Sequence, residues 1–215
     1  MKYLDAERYA LAIFLVFAAC FSGIAFFGDT KVKDLHSALS VGYAAVPMVV
    51  FAAGIFVSYA WKLRIFQGWF VPFPNLNGTW KGELQSNWID PTTGKGIAPI
   101  PAILSIKQTF TRISCVMRTG ESKSHSFAAG FWLDEDEQIR RLVYSYENKP
   151  QATVTHRSKP HGGTMMFEII GDPVTGLRGD YFTDRPTSGT VTLTFHSKKR
   201  LDKLPKMGPH PMAGK

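Results

Sequence analysis

Asn75-Leu76-Asn77-Gly78-Thr79-Trp80-Lys81-Gly82-Glu83-Leu84-Gln85-Ser86-Asn87-Trp88 is the stretch at which the chain changes character. Trp80, Gly82, Leu84, Ser86 and Trp88 fall on one face of an extended strand. Thr79, Lys81, Glu83, Gln85 and Asn87 fall on the other. Small residues spaced between large ones suit the inside of a small curved barrel, where a glycine permits a tight bend. The Asn-Gly pair ahead of the strand supplies a turn.

The chain before this stretch is of another kind. Tyr9 to Gly28 carries no charged residue and has about the 20-residue length that crosses a bilayer. Ser37 to Trp61 is a second uncharged run, and only the short polar loop Asp29 to His36 separates the two. Two spans joined by a tight loop form a hairpin with both ends on one side. A cleaved signal peptide is disfavoured by Asp5 and Glu7 at its start and by the second apolar run behind it. Lys2, Arg8, Lys62 and Arg64 flank the outer ends of the hairpin against Lys31 and Lys33 in the loop, which predicts that both termini are cytoplasmic. Trp61, Phe66, Trp69, Phe70 and Phe73 read as an interfacial belt that Pro72 and Pro74 close. Small residues at four-residue spacing, Ala19 with Gly23 and Gly54 with Ser58, predict close helix packing. Pro47 predicts a kink in the second span.

Beyond Trp88 seven further strand-like runs occur: Ile100 to Phe110, Arg112 to Thr119, Ser122 to Leu133, Gln138 to Asn148, Gly163 to Ile170, Leu177 to Asp184 and Thr190 to Ser197. Clusters of Gly, Pro, Asp and Asn separate most of them. Eight short strands at hairpin spacing predict an all-β, antiparallel, up-and-down barrel, with a two-sheet sandwich as the alternative. The expected organisation is a two-helix transmembrane anchor over 1–61, an interfacial linker over 62–74, a ligand-binding barrel over 75–197 and a basic flexible tail over 198–215. Residues 1–61 hold four basic and four acidic residues, so the net charge of +8 belongs to residues 62–215. A basic domain beside a bilayer has two plain partners: anionic headgroups or a phosphorylated ligand. Cys20 and Cys115 lie in unlike segments, so no disulfide between them is expected.

Several strands place polar groups on the face that carries their large residues. Leu142, Tyr144, Tyr146 and Asn148 share a face, as do Leu177, Gly179, Tyr181 and Thr183, with Arg185 continuing the alternation. Ser122, Ser124 and Ser126 share one with Ala128. Tyrosines offer faces and hydroxyls, and an arginine offers a forked donor for phosphate. Such a set suits a cyclic nucleotide; it equally suits a barrel plugged by its own tyrosines. Tyr144, Tyr146, Thr183 and Arg185 are the candidate ligand contacts, with Ser122 and Ser124 lining the pocket. Catalytic and metal chemistry find no motif. Gly94-Lys95-Gly96 lacks the rest of a phosphate-binding loop. His156 and His161 lack a third ligand at metal spacing. Asp134 to Glu137 lacks the alternating ligands of a calcium loop, and no Gly-x-Ser-x-Gly elbow occurs.

The order of two spans followed at once by a basic eight-stranded barrel resembles the SMODS-associating two-transmembrane, β-strand-rich effectors of bacterial CBASS antiphage systems, the CD-NTase-associated protein 15 family. The residues carrying the resemblance are Asn75 to Trp80, Gln108-Thr109-Phe110, Glu121 to Ser124, Tyr144 to Pro150 and Leu177 to Arg185. The resemblance implies a non-enzymatic effector of the bacterial inner membrane. It implies a cyclic dinucleotide, made by a CD-NTase partner, as activating ligand of the barrel. It also implies homo-oligomer assembly through the spans, membrane disruption and death of the infected cell; no cofactor, DNA or RNA is expected. Two readings remain from the residues: a ligand-gated effector, and an assembly protein whose filled barrel is a docking module.

Overall fold

The computed structural model describes residues 6–28, 32–91, 93–134, 136–203 and 210–212. The chain divides into two compact units between Phe73 and Pro74.

The first unit is a helical hairpin. Helix α1 runs over Ala6–Phe27 and α2 over Leu35–Ser58. Their most apolar windows have mean hydropathies of 2.5 and 2.0, so both are candidate membrane spans by length and composition. α2 begins before the uncharged run does, because Asp34 and Ser37 form a reciprocal cap. The Ser37 amide donates to Asp34 Oδ1 at 2.8 Å, and the Asp34 amide donates to Ser37 Oγ at 3.1 Å. The helix ends at Ser58, and single 3₁₀ turns come next over Ala60–Lys62 and Arg64–Phe66. These fold the aromatic cluster back on the helices: Tyr9 stacks edge-on to Phe70 at 4.9 Å, and Phe56 meets Phe66 and Phe70 at 5.3 Å each. Of the expected Asp29–His36 loop, residues 29–31 lie outside the described part.

The small residues expected to pack do not form the seam between α1 and α2. Val41 and Ala45 are the buried positions of α2, and Phe17 approaches Gly42. Ala19, Gly54 and Ser58 are exposed, and a methyl group added at Gly23 or Gly54 would meet nothing.

The second unit is a closed barrel of eight antiparallel strands in sequence order: β1 Gly78–Ser86, β2 Ile100–Gln108, β3 Ile113–Thr119, β4 Ser122–Asp134, β5 Ile139–Pro150, β6 His161–Ile170, β7 Gly176–Thr183 and β8 Ser188–Ser197. Closure comes from β8 pairing back on β1, Val191 opposite Leu84 and Phe195 opposite Trp80. One continuous ladder of this kind excludes the sandwich and leaves no open edge. The turn into β1 is fixed by Asn77. Its side-chain amide donates to the Gln108 carbonyl at 2.9 Å and its side-chain oxygen accepts from the Gln108 amide at 2.7 Å. β1 stops at Ser86, so Asn87 and Trp88 lie beyond the strand.

The face carrying Trp80 and Leu84 points inward, and register carries the same parity around the barrel to Leu104, Cys115, Tyr144, Met165, Tyr181 and Val191. β4 departs from the expected alternation. A bulge between Ser126 and Ala128 turns Phe127 outward, so Ala129, and not Ala128, continues the inner face begun by Ser122, Ser124 and Ser126. The interior is layered. Leu76, Trp80, Ile106, Phe167, Leu177 and Leu193 fill the end at which the chain enters β1. Burying a side chain of this size contributes roughly 1.5–3 kcal/mol. Trp80 donates its indole N–H to the Leu76 carbonyl at 3.0 Å, so its burial at the packed end leaves no indole donor unmet.

The tail expected to be flexible is partly tied down. Thr79 Oγ1 donates to the Lys199 carbonyl at 2.7 Å and accepts from the Leu201 amide at 2.9 Å, while Ser105 Oγ donates to the Leu201 carbonyl at 2.8 Å. This segment covers Thr79, Ile103 and Ser105 on the outer face, which are buried. Residues 204–209 and 213–215 lie outside the described part.

Candidate functional site

The opposite end of the barrel is not filled. A cavity of about 230 Å³ lies there, lined from the strands and the turns above them. Its rungs follow from register: Ser126, Tyr146, Gly163 and Thr183 are opposite one another in turn, as are Met117, Ser124, Asn148 and His161. Two glycines keep the space open. A Cβ on Gly163 would strike the Tyr146 phenol and the Phe182 carbonyl, and one on Gly189 would strike the Tyr181 ring. The tyrosines therefore lie over glycines on neighbouring strands instead of standing across the barrel.

Tyr144 is the floor. It is 2% exposed, 6.0 Å from the Tyr146 ring and 6.3 Å from Phe167 of the packed layer. Its hydroxyl is buried and has no hydrogen-bond partner. Such a group costs about 1–3 kcal/mol when left unmet. Burial raises the pKa of Tyr144, Tyr146 and Tyr181, so all three phenols keep their protons as donors at neutral pH.

Arg185, in the turn between β7 and β8, donates from Nη2 to His161 Nδ1. Only a neutral imidazole can accept there. Burial lowers the His161 pKa, and the Arg185 charge adds to that against the Lys159 carbonyl and Asp184. Thr183 Oγ1 donates within the same turn, with the Thr187 carbonyl at 2.9 Å, and so holds Arg185 over the cavity. On the other side Arg157 Nη2 donates to Glu121 Oε1 at 2.6 Å. His210 stands 3.3 Å from Glu121 Oε2, its pKa lowered chiefly by burial and raised by Glu121.

All six residues proposed from sequence, Tyr144, Tyr146, Thr183, Arg185, Ser122 and Ser124, line this one cavity. The strand alternation brought five of them together, and Arg185 came from extending it one step past β7. Arg157, Glu121, His161 and His210 line it too and were not singled out as contacts. Asn148 was on the inward face and carried the needed signal; Arg157 lies in a turn after β5, where alternation gives no direction. Among the described residues no cluster of three or more His, Cys, Asp or Glu could hold a metal.

A barrel packed at one end and hollow, polar and cationic at the other is the build of a receptor for a small polar ligand. A family model described as Cap15, cyclic dinucleotide receptor domain, matches residues 71–195. The match spans more than half of the chain and the whole run from before β1 into β8, and the chain belongs to that family. It is a family of receptor domains, and no catalytic domain is identified in the chain. A search of curated proteins found no match.

Proposed function

We propose that the chain is a CBASS effector of the bacterial inner membrane. Its barrel binds a cyclic dinucleotide made by a CD-NTase, with Tyr144, Tyr146, Thr183 and Arg185 as contacts and Ser122 and Ser124 in the wall. Both termini are cytoplasmic. Binding drives homo-oligomer assembly through the helical hairpin, for which the small residues Ala19, Gly23, Gly54 and Ser58, left unused by the seam between α1 and α2, are the contact face. Assembly disrupts the membrane, and the infected cell dies before the phage matures. The filled-barrel alternative accounts for the packed end and leaves the hollow one without a purpose.

The observation that carries this reading is the partnerless, buried Tyr144 hydroxyl in the cavity floor. A barrel that merely plugged itself would be better served by phenylalanine there. Tyr144→Phe tests it: with the hydroxyl a ligand contact, the variant melts no lower than the parent and binds cyclic dinucleotide about tenfold more weakly, the equivalent of ~1.4 kcal/mol. Unchanged affinity measured by titration calorimetry would remove Tyr144 from the site.

A further inference from the structure

We propose that Arg157 is a second phosphate-recognising cation of this cavity, masked by Glu121 and by the chain's own residues 210–212, which form a lid the ligand displaces. The inference rests on the reading of the cavity as a cyclic dinucleotide site.

Three observations carry it. The Arg157 guanidinium is already occupied, but by carboxylate and carbonyl oxygens. Nη2 donates to Glu121 Oε1 at 2.6 Å and to the Met212 carbonyl at 3.2 Å, while Nε is buried without a partner. A guanidinium held between a carboxylate and a carbonyl, with Nε in reserve, has the donors that a phosphate would take. Glu121 is the one acidic side chain among the described residues lining the cavity, so the mask is local.

The second observation is that the mask is built from two parts of the chain at the mouth. The turn bearing Arg157 is pinned to the β3–β4 turn: the Gln151 amide donates to the Glu121 carbonyl at 2.8 Å and Gln151 Nε2 to the Gly120 carbonyl at 2.9 Å. Arg157 and Glu121 are therefore fixed with or without the lid. Among the described residues, the lid is joined to this end by Arg157 at the Met212 carbonyl and by His210 beside Glu121. The chain is also anchored at Lys199 and Leu201, on the outer face and away from the mouth.

The third observation is size and charge. A cyclic dinucleotide carries two phosphates, and the cavity presents one unmasked arginine, Arg185, on the turn between β7 and β8. Its volume of about 230 Å³, with His210 and Met212 in the lining, falls short of the roughly 300 Å³ and upward that ligand sites of drug-sized molecules occupy. Displacing the lid enlarges the mouth and takes the Met212 carbonyl off Arg157 in the same step, leaving Glu121 as the group a phosphate must outcompete. A site closed for part of the time binds with an affinity reduced by the fraction open.

The test is titration calorimetry of the full chain in detergent with a panel of 3′,3′-cyclic dinucleotides. Three variants are compared with the parent: a stop after Lys203, Gly120→Ala and Arg157→Gln. A methyl group on Gly120 would lie 3.2 Å from His210 Cβ, so the lid must give there by a few tenths of an ångström, with neither partner of the ion pair substituted. The stop should tighten binding by about threefold to tenfold, by opening a site that is otherwise mostly closed, and Gly120→Ala should shift it in the same direction by a smaller factor. Arg157→Gln should weaken it about tenfold, and adding the stop to Arg157→Gln should restore less than the stop alone gains. If the stop and Gly120→Ala leave affinity unchanged or lower it, while Tyr144→Phe still costs binding, the lid is structural and the inference falls with the ligand site intact. If no form of the chain binds any member of the panel, the ligand reading falls and takes the inference with it.

Discussion

Arg185 and His161 show how a single pair sets the mouth. The guanidinium donates to Nδ1 of a neutral imidazole, so its direction depends on the protonation of its neighbour. Burial lowers the folded pKa of His161 below its ordinary value of about 6.5, so the folded chain resists protonation there. His161 therefore contributes stability that is present above the unfolded pKa and is lost as pH falls through the depressed folded one. His125 and His210 carry the same sign, burial being the first cause for each. The melting temperature should accordingly fall as pH drops below about 6.5, and His161→Gln should flatten part of that slope; a variant slope as steep as the parent's would show that His161 is not the titrating group. Arg185→Ala should weaken cyclic dinucleotide binding about tenfold or more, because a charge-assisted hydrogen bond contributes roughly 1.5–3 kcal/mol. Arg185→Lys should recover part, since a point charge lacks the fork. Calorimetry at fixed salt reads both, and a folded Arg185→Ala chain with parental affinity would assign the basic surface to lipid instead. At this scale strand parity was enough to place Tyr144, Tyr146 and Ser124 on the inner face that lines the cavity. It was silent on the Arg157–Glu121 pair, whose members are 36 residues apart and lie in turns.

The elements were legible where sequence period and local chemistry agree. Each of the eight strands follows from apolar alternation bounded by turn residues, and the barrel follows from their number and spacing. The β4 bulge was not legible, because Phe127 and Ala128 are both tolerable on either face and only pairing to Tyr146 and Ser145 fixes the slip. α2 starts two residues ahead of the uncharged run, because the Asp34 cap and not the run marks it. That cap decides how the hairpin is best probed. A cysteine at Ser37 would break a reciprocal pair worth ~0.5–2 kcal/mol, whereas Val32 is exposed and lies ahead of the cap at Asp34. With Cys20 replaced by alanine and Cys115 left in its buried position, Val32→Cys should react with an impermeant maleimide added to intact spheroplasts. Reaction only after lysis would reverse the proposed orientation of the hairpin.

At the scale of the molecule the division of labour follows charge and hydropathy. The apolar residues that face outward are concentrated in the hairpin, and the net positive charge lies in residues 62–215. Within the barrel, the end where the chain enters β1 is packed solid, and the far end, framed by Ser86, Thr119, Asn148 and Thr183, is the hollow one. The packed layer carries Leu76, Trp80, Ile106, Phe167, Leu177 and Leu193, while polar and cationic side chains face the hollow one. On the proposed function, a ligand there would shift an equilibrium between idle and assembled forms by its preference for one of them. Binding to the folded barrel must then also raise its melting point by mass action. The direct measurement is a thermal melt of the full chain in detergent, followed by tryptophan fluorescence, with cyclic dinucleotides and their linear counterparts. At about a hundredfold excess over Kd one cyclic dinucleotide should add about 2.7 kcal/mol and raise the midpoint by roughly 5 °C or more, with the linear form far less effective. A sharp, cooperative melt that no cyclic dinucleotide moves would contradict the account.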